Sequence, residues 1–303
     1  MTYKSAGALE MAVKTAASAS DLDTSRAIAS FYFHRLLCRI FADGNDAFVL
    51  KGGQSMLART TDARATRDID LLAMRDNLGA ALESLIELAQ TNMDDFITFE
   101  FAGSMPIKAE DEYRSGLSVR FVPIIGAKRM QQIAIDLVTD EVPLENAELI
   151  TPADRIDIAG LQACDYPVYP VESALADKLC ALVEKHDGRA SSRVKDLADI
   201  AIYATACSVD GAKLQKPLHR EALIRKVTLP TSFGAPEGWN ESHERQFEKL
   251  CSQTGLTDSL RSIDASAGLA RSLFDPALAG SADGMKWDPH MMAWEEQSRY
   301  GKQ

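Results

Sequence analysis

The sequence predicts an α+β protein in which a mixed sheet with flanking helices is followed by a mainly helical region. Two observations carry this prediction. Short apolar runs typical of β-strands, with glycines between or beside them, recur between residues 48 and 140. From Val171 onward, the apolar residues recur almost wholly at the spacing of amphipathic helices. A chain of 303 residues is long enough to form two such adjoining units.

Apolar spacing defines the elements of the first half. Residues 24–42 carry apolar side chains at helical spacing and end in the turn sequence Asp43-Gly44-Asn45. Residues 78–90 form a second helical segment. Three β-like runs with neighbouring glycines predict an antiparallel meander. These runs are Phe96–Phe101, Leu117–Ile125 and Gln131–Asp140.

The second half is predicted to be a series of helices separated by prolines. The helices expected are 171–186, 193–207, 219–226, 240–254 and 257–275. Four prolines cluster between residues 141 and 170, which places the boundary there. The predicted domains are therefore residues 1–150, which contain the strands, and residues 151–303, which are mainly helical.

Composition narrows the class of protein. Apolar residues make up 46% of the chain and charged residues 25%, as is ordinary for a globular protein. Residues 1–25 carry charges where a signal peptide is apolar, and no run approaches the roughly 20 apolar residues of a membrane span. Five cysteines without a C-x-x-C motif indicate reduced thiols. We therefore expect a cytoplasmic protein that does not interact with membranes.

Charge is unevenly distributed along the chain. The net charge of −11 counts against charge-driven coating of nucleic acid. Between Lys185 and Lys226, however, nine Lys and Arg residues stand against five acids. A locally basic stretch in an acidic chain fits a surface that faces phosphate, and a solvated helix face is an equally good interpretation.

Residues 48–72 are the most informative segment. An apolar run ends at Gly52-Gly53, a helix-like segment follows, and Asp68 and Asp70 then open a second apolar run. Side chains at i and i+2 of a strand share one face, so both carboxylates point the same way. A divalent cation relieves their repulsion, and Mg²⁺ typically takes one or two carboxylates together with substrate phosphates. Glycines let a triphosphate approach the backbone N–H groups closely.

A third acid, Asp136, stands inside the very apolar run Ile133–Val138. A buried carboxylate without a partner is costly, so Asp136 needs one. A metal ion or a metal-bound water is one such partner, because two-metal transfer places a ligand close to the nucleophile. An ion pair with Arg120 on the preceding run is the structural alternative.

The helical half supplies a second group of charges. Lys178 lies at the edge of an apolar helix face and is long enough to reach a phosphate. Asp196 and Asp199, at positions i and i+3, share one helix face. Taken alone, these residues are better explained by helix capping and ordinary salt bridges.

In combination, these features resemble a known family. A glycine pair followed by a spaced acid-x-acid is similar to the nucleotidyltransferase superfamily with a polymerase-β-like core. The order GG…DID, an acid in an apolar strand, LADKLCALVEK and RVKDLADI resembles the AbiEii/AbiGii toxin family, which includes the MenT-type toxins of bacterial toxin–antitoxin pairs. The resemblance covers roughly residues 25–205, and the C-terminal helices are similar in pattern only.

The resemblance implies roles for individual residues. Asp68 and Asp70, with Asp136, are expected to bind Mg²⁺, or Mn²⁺ in its place. Lys178 is expected to hold nucleotide phosphate, and Asp196 to complete the catalytic pocket in the second domain, which would also bind the acceptor. The residues expected to cradle the triphosphate of an NTP are Lys51, Gly52, Gly53, Gln54 and Ser55. Those expected to contact RNA are Lys185, Arg189, Arg193 and Lys195.

Two positions carry further implications. Thr66 stands where some family members have a serine that their antitoxin kinase phosphorylates. Gln54 departs from the family, in which a small hydroxyl residue commonly follows the glycines, and Ser55 is the available substitute.

The implied reaction transfers a nucleoside monophosphate from an NTP to an acceptor and releases pyrophosphate. Some relatives place pyrimidines on the 3′ acceptor end of tRNA, which blocks aminoacylation and so translation, and a cognate antitoxin is the expected protein partner. One alternative is a protein AMP- or UMP-transferase of the same fold. Another is an inert nucleotide- or RNA-binding module, which the presence of Asp70, Asp136 and Lys178 disfavours. The sequence determines neither the NTP nor the acceptor, the antitoxin type or the oligomeric state.

Overall fold

The computed structural model describes residues 2–64, 66, 68–74, 77–107, 116–139 and 147–297. The chain divides into two compact units. Unit 1 consists of Met1–Arg59 and Ala65–Tyr169, and unit 2 consists of Thr60–Arg64 and Pro170–Gln303. The short segment Thr60–Arg64 therefore packs with the second half of the chain although it lies in the first.

Unit 1 combines helices with one large sheet. Its helices are α1 (Ala6–Ala19), α2 (Thr24–Ile40), α3 (Gly52–Arg59) and α4 (Leu78–Ala89). Its strands are β1 (Phe48–Lys51), β2 (Asp68–Ala73), β3 (Ile97–Pro106), β4 (Gly116–Ile125), β5 (Lys128–Arg129), β6 (Ile133–Thr139), β7 (Glu148–Ile150) and β8 (Tyr166–Val168).

Side-chain caps set the first turns of three of these helices. The side chains of Ser5, Asp23 and Asn77 accept hydrogen bonds from backbone N–H groups at the starts of α1, α2 and α4. These groups have no partner within a helix, so each cap stabilises its helix by about 1 kcal/mol.

The sheet of unit 1 is mixed, as predicted. Its strand order is β3-β4-β6-β2-β1-β8-β7, and β5 pairs with β4. The pairs β2–β6 and β1–β8 are parallel, whereas β3–β4, β4–β6 and β1–β2 are antiparallel. The predicted meander of three strands is thus present as β3–β4–β6, and β2 adds to its edge in parallel orientation.

Unit 2 is mainly helical, with short strands that the sequence analysis did not predict. Its helices are α5 (Val171–Val183), α6 (Val194–Ala206), α7 (Gly211–Ile224), α8 (Glu241–Cys251) and α9 (Ile263–Leu278). Its strands are β9 (Lys185–His186), β10 (Arg189–Ala190), β11 (Val209–Asp210), β12 (Met285–Asp288) and β13 (Ala293–Glu296). In β12, the fully buried Trp287 donates its indole N–H to the carbonyl of Ala204 at 2.7 Å.

Two prolines expected to separate helices lie inside them instead. Pro217 is within α7 and Pro276 is within α9. Proline removes one backbone donor and disfavours the preceding helical turn. Burial of Leu214 and Leu218 on either side of Pro217 offsets that loss in α7. Within the described ranges, no helix is long and apolar enough to cross a bilayer.

Candidate active site

Neighbouring strands of unit 1 place four polar residues in one row across the sheet. Lys51 of β1 lies opposite Asp70 of β2, and Asp70 lies opposite Asp136 of β6. Asp136 in turn lies opposite Ser118 of β4. Residues directly opposite each other in adjacent strands point to the same face of a sheet. The register therefore brings Asp70 and Asp136 onto one face from distant parts of the chain.

The two faces of β2 and β6 differ in burial. The apolar face is fully buried and consists of Ile69, Leu71, Ile135 and Leu137, each 0% exposed. The opposite face is partly exposed and carries Asp68, Asp70 and Asp136. We call these three residues the acidic face. Its side chains are partly exposed, while the strands that carry them are anchored in the core.

Asp136 sits in an unfavourable environment for a carboxylate. Burial raises its pKa and the nearby charge of Asp68 raises it further, while a hydrogen bond with Ser118 lowers it. The net effect is a raised pKa. The alternative ion pair with Arg120 is not formed between these two described residues, and the Arg120 guanidinium contacts the sulfur of Met105 at 3.4 Å. A cation beside the acidic face would relieve the repulsion between Asp68 and Asp136.

Gly52 brings the start of α3 directly against Asp70. Its φ is +61°, in the left-handed region that favours glycine. A Cβ at this position would lie 1.7 Å from Oδ2 of Asp70, so any side chain would collide with the carboxylate. A Cβ on Gly53 would lie 3.1 Å from Cβ of Thr66. The glycine pair therefore has a geometric role in the turn from β1 to α3.

The side chains that follow the glycines are buried. Gln54 is 1% exposed and donates to Oδ2 of Asp154 at 3.2 Å. Ser55 is equally buried and donates to the carbonyl of Gly52 at 2.9 Å. Lys51 is 8% exposed, with its ammonium 4.1 Å from the ring centre of Tyr169. A phosphate at the start of α3 would therefore meet backbone N–H groups and not the side chains of Gln54 and Ser55.

Thr66 touches the acidic face. Its hydroxyl donates to Oδ1 of Asp68 at 2.8 Å and also lies 3.1 Å from the backbone carbonyl of Asp68. The same residue lines a mostly apolar pocket of about 420 Å³ next to α2 and the start of β6. Any group attached to the Thr66 hydroxyl would stand beside Asp68.

The acidic face fits a divalent cation as part of a substrate complex. No set of three His, Cys, Asp or Glu side chains in the described part of the chain is arranged as a ready metal cage. Mg²⁺ does not require one, because it commonly binds through one or two carboxylates together with substrate phosphates and water. The mutual repulsion of Asp68 and Asp136 matches the chemistry of such a site.

Unit 2 contains the second predicted group, around Lys178. The Lys178 ammonium lies 2.6 Å from Oδ2 of Asp199 and 3.5 Å from Oδ1 of Asp196. Arg64 donates to Oδ1 of Asp199 at 3.0 Å, and Arg193 donates to Asp196. The structure thus brings Lys178 and Asp196 together. It also adds Arg64, which sequence reasoning missed because no local pattern connects residue 64 to α6.

In this group, the neighbouring opposite charges shift the pKa values more than burial does. Burial by itself lowers the pKa of Lys178, but the carboxylates of Asp199 and Asp196 raise it, and the net pKa is raised. Burial by itself raises the pKa of Asp199, but Lys178 and Arg64 lower it, and the net pKa is lowered. Both groups are therefore charged at neutral pH. Lys178 is held as a fixed ammonium at the first turns of α6.

A basic pocket of about 480 Å³ lies in unit 2 beside α6 and α8. Its lining includes the cations Arg64, Arg193, Lys195 and Lys249, and no acidic residue of the described chain lines it. Among the described residues, neither Lys195 nor Lys249 forms an ion pair with a carboxylate. Lys249 was missed from sequence because it lies far outside the basic stretch. We call this surface the basic pocket.

The remaining cations of the basic stretch lie elsewhere. Lys185 and Arg189, both expected to contact RNA, are exposed in the β9–β10 hairpin. Arg225 is buried and forms ion pairs with Glu184 at 2.8 Å and Glu221 at 2.6 Å. The stretch from Lys185 to Lys226 is therefore not one continuous phosphate-facing surface.

Comparison with known proteins assigns the class. The family model described as "Nucleotidyl transferase AbiEii toxin, Type IV TA system" matches residues 35–271, which include the acidic face, Lys178 and Asp196. The protein is a nucleotidyltransferase of the toxin type. It belongs to the AbiEii family of type IV toxin–antitoxin systems.

Two solved structures are similar to this chain. MenT4, a nucleotidyltransferase toxin from Mycobacterium tuberculosis H37Rv, aligns with a TM-score of 0.50 and 16% identity, covering 90% of this chain and 98% of that one. JHP933 from Helicobacter pylori aligns with a TM-score of 0.42 and 15% identity, covering 84% and 95%. No curated protein matches the chain.

Proposed function

We propose that this toxin transfers a nucleoside monophosphate from an NTP to the 3′ acceptor end of tRNA in a Mg²⁺-dependent reaction, and thereby blocks translation in the bacterial cytoplasm. The acidic face is the observation that carries the proposal. Two parallel strands hold its carboxylates on a partly exposed surface beside a glycine turn. This arrangement suits an NTP and a hard cation better than any apolar ligand.

The residues of unit 1 hold and orient the nucleotide in this proposal. A Mg²⁺ ion at Asp68, Asp70 and Asp136 would neutralise charge between these carboxylates and the NTP phosphates. Gly52 and Gly53 leave the backbone of α3 open, so that its N–H groups can donate to the triphosphate. The rigid strands keep the carboxylates in place, which lowers the cost of orienting the reacting groups.

Lys178 and Asp196 have the roles that the family resemblance implies. Lys178 holds nucleotide phosphate as a charged ammonium, and Asp196 completes the catalytic pocket. Their geometry supports this proposal in one respect. Asp196 and Asp199 keep Lys178 protonated and restrict its side chain, so its charge is already in position before any phosphate arrives.

The basic pocket supports RNA as the acceptor. The chain as a whole is acidic, so contact with RNA backbone would be confined to local cationic surfaces. A concave surface with four cations is one such place. An A-form acceptor stem would be bound there mainly through its backbone and 2′-hydroxyl groups.

A labelling experiment tests the reaction. The purified protein is incubated with each α-labelled NTP, Mg²⁺ and either total RNA or total protein from a bacterial lysate. We expect label in RNA of tRNA size, at the 3′ end, and no label when EDTA is present. Label in proteins and never in RNA would replace this proposal with the protein AMP- or UMP-transferase.

We expect Lys195→Glu to raise the KM for tRNA by about tenfold, because it removes one phosphate contact and adds a repulsive charge. The KM for NTP should stay nearly unchanged. Lys213→Glu is the matched control, since Lys213 belongs to the same basic stretch but lines a different pocket beside Glu172 and Asp210. Equal effects of both variants on steady-state tRNA kinetics would remove the basic pocket from the acceptor site.

Membership in a type IV system implies an antitoxin, and Thr66 is a proposed target of its regulation. A phosphate on the Thr66 hydroxyl would replace the hydrogen bond to Asp68 with a negative charge beside the acidic face. That charge would oppose the binding of NTP. Intact-mass and peptide spectra of toxin co-expressed with its neighbouring antitoxin gene test this, and an unmodified Thr66 would refute it.

A further inference from the structure

Two thiols from distant parts of the chain meet in unit 1. Cys38 lies on α2 and is 1% exposed, whereas Cys164 lies in the segment before β8 and is partly exposed. Sγ of Cys164 is 3.8 Å from the backbone carbonyl of Cys38, to which its thiol donates, so the two cysteines are in direct contact. Neither thiol belongs to the acidic face or to the Lys178 group.

The surroundings favour a thiolate on Cys38. The hydrogen bond from Cys164 lowers the pKa of Cys38, burial opposes this, and the Arg35 guanidinium one helical turn away lowers it further, to about 6. The pKa of Cys164 is raised by its interaction with the Cys38 thiol and by partial burial. The surroundings thus favour a thiolate on Cys38 beside a thiol on Cys164, which is the combination that reacts in disulfide chemistry.

Arg35 is itself held in place. Its Nε donates to Oδ2 of Asp95 at 2.8 Å, and Arg39 also pairs with Asp95 at 2.7 Å. On the other side, Sγ of Cys38 lies 4.0 Å from the hydroxyl of Tyr166. The cysteine pair thus has a rigid polar setting and does not depend on a flexible surface side chain.

We propose that Cys38 and Cys164 form a redox-sensitive pair that hydrogen peroxide converts to a reversible disulfide. The Cys38 thiolate attacks one peroxide oxygen, which breaks the O–O bond and yields a sulfenic acid and hydroxide. The Cys164 thiol then attacks the Cys38 sulfur, loses its proton and releases water as the S–S bond forms. Two electrons pass from the sulfurs to the peroxide, and a thiol reductant reverses the change.

The other cysteines provide internal controls. Burial raises the pKa of both Cys180 and Cys251 to about 12, so these thiols are poor nucleophiles. Cys207 is partly exposed, like Cys164. Oxidation of Cys207 therefore measures how accessible an exposed thiol is to peroxide, whereas a Cys38–Cys164 disulfide measures the proximity of two thiols.

Peroxide titration of the purified full-length protein tests the proposal. After the free thiols are blocked with an alkylating reagent, we expect a product that carries two alkyl groups fewer than the reduced protein, with Cys38 and Cys164 peptides joined. Dithiothreitol should separate the peptides. Cys180, Cys207 and Cys251 should remain alkylated, and the oxidised protein should melt at a higher temperature because a long loop is closed.

Cysteine-to-serine variants identify which two thiols form the disulfide. Cys164→Ser and Cys38→Ser should each abolish the joined peptides, and Cys207→Ser should leave them unchanged. Cys164 is partly exposed, so its variant keeps the test valid even if Cys38→Ser does not fold. Oxygen addition at either cysteine without a Cys38–Cys164 link, or links that involve Cys207 to the same extent, would overturn the proposal.

Discussion

At the scale of single residues, the acidic face combines poor electrostatics with a defined position. Asp136 is half-buried near Asp68, and its only described relief is the hydrogen bond with Ser118. A group that destabilises its own folded state is typical of a functional site, because stability is lost where chemistry requires charge. Removing the charge of Asp136 should therefore change stability and activity in opposite directions.

We expect Asp136→Asn to abolish nucleotide transfer and to raise the Tm of the metal-free protein by about 1–3 °C. The folded pKa of Asp136 lies above its ordinary value of 3.8, so the folded state binds more protons than the unfolded state in that window. The free-energy cost of ionised Asp136 in the folded state therefore grows as pH rises above 3.8. The rise in Tm that Asn produces should disappear below about pH 4. Thermal unfolding at several pH values checks this. A lower Tm at neutral pH, or retained transfer, would contradict it.

Gly52→Ala should abolish transfer and lower the free energy of unfolding by about 2 kcal/mol or more, because the new Cβ meets Asp70 at a left-handed φ. Gly268→Ala is the matched control. Gly268 lies inside α9, and an added Cβ there has no neighbour within 4 Å. The control should stabilise the protein by about 0.5–1 kcal/mol and leave transfer intact. Urea unfolding and transfer assays separate the two, and similar behaviour of both variants would count against the close approach to Asp70.

At the scale of elements, α5 and α6 are joined by charge as well as by apolar packing. Lys178 on α5 faces Asp199 and Asp196 on α6, and Arg64 reaches Asp199 from the segment Thr60–Arg64. Removing one member of such a buried group leaves its partners charged and unpaired, which costs far more than an exposed ion pair contributes. Asp199 is thus a structural requirement of unit 2.

We expect Asp199→Asn to lower the free energy of unfolding by about 3 kcal/mol at pH 7. Asp157→Asn is the control, because Asp157 is 78% exposed in its ion pair with Arg155 and should cost under about 1 kcal/mol. The folded pKa of Asp199 is lowered, so its contribution is present above its ordinary value and is lost as pH falls through the folded value. Urea unfolding of both variants at pH 7 and at low pH should show the difference shrink on acidification. A difference that persists in acid would refute the charge-based explanation.

Elements with strong periodicity were predicted well from sequence, and those without it were missed. The segment β1–α3–β2, the meander strands, and the helices α2, α4, α5 and α6 all follow from apolar spacing and turn residues. Helix α1 was missed because it is rich in alanine and buries only a narrow stripe of Leu9, Val13 and Ala17. Strands of two to four residues, such as β11 and β12, are too short for a period-two pattern to be recognised.

At the scale of the whole molecule, the family match from residue 35 to 271 extends beyond the part that sequence motifs suggested. The described motifs ended near residue 205, yet the match continues through α8 into α9. Helix α8 supplies Lys249 to the basic pocket. The C-terminal helices are therefore part of the family's shared fold.

Expression of the wild-type chain without its neighbouring gene should arrest bacterial growth, because the family consists of toxins. Cells that express the Asp68→Asn variant should grow normally, because this substitution removes one charge from the acidic face. Cells that express the Thr66→Glu variant should also grow normally, because the new carboxylate would lie beside Asp68 as a phosphate would. Growth curves after induction, with immunoblots to match protein levels, provide the measurement. Unimpaired growth at high levels of active wild-type enzyme would argue for a housekeeping role.

The sequence by itself determined the residue types and their local order: a glycine pair before an acid-x-acid strand, an acid in an apolar strand, and a lysine before a charged helix start. These follow from local periodicity and backbone geometry, and they were sufficient to indicate the family. Only the tertiary structure decided which of these residues meet. The register that sets Asp70 beside Asp136, the contact of Arg64 with Asp199 and the pairing of Cys38 with Cys164 all join residues far apart in the chain. Such contacts depend on how whole strands and helices pack, and no local pattern encodes them.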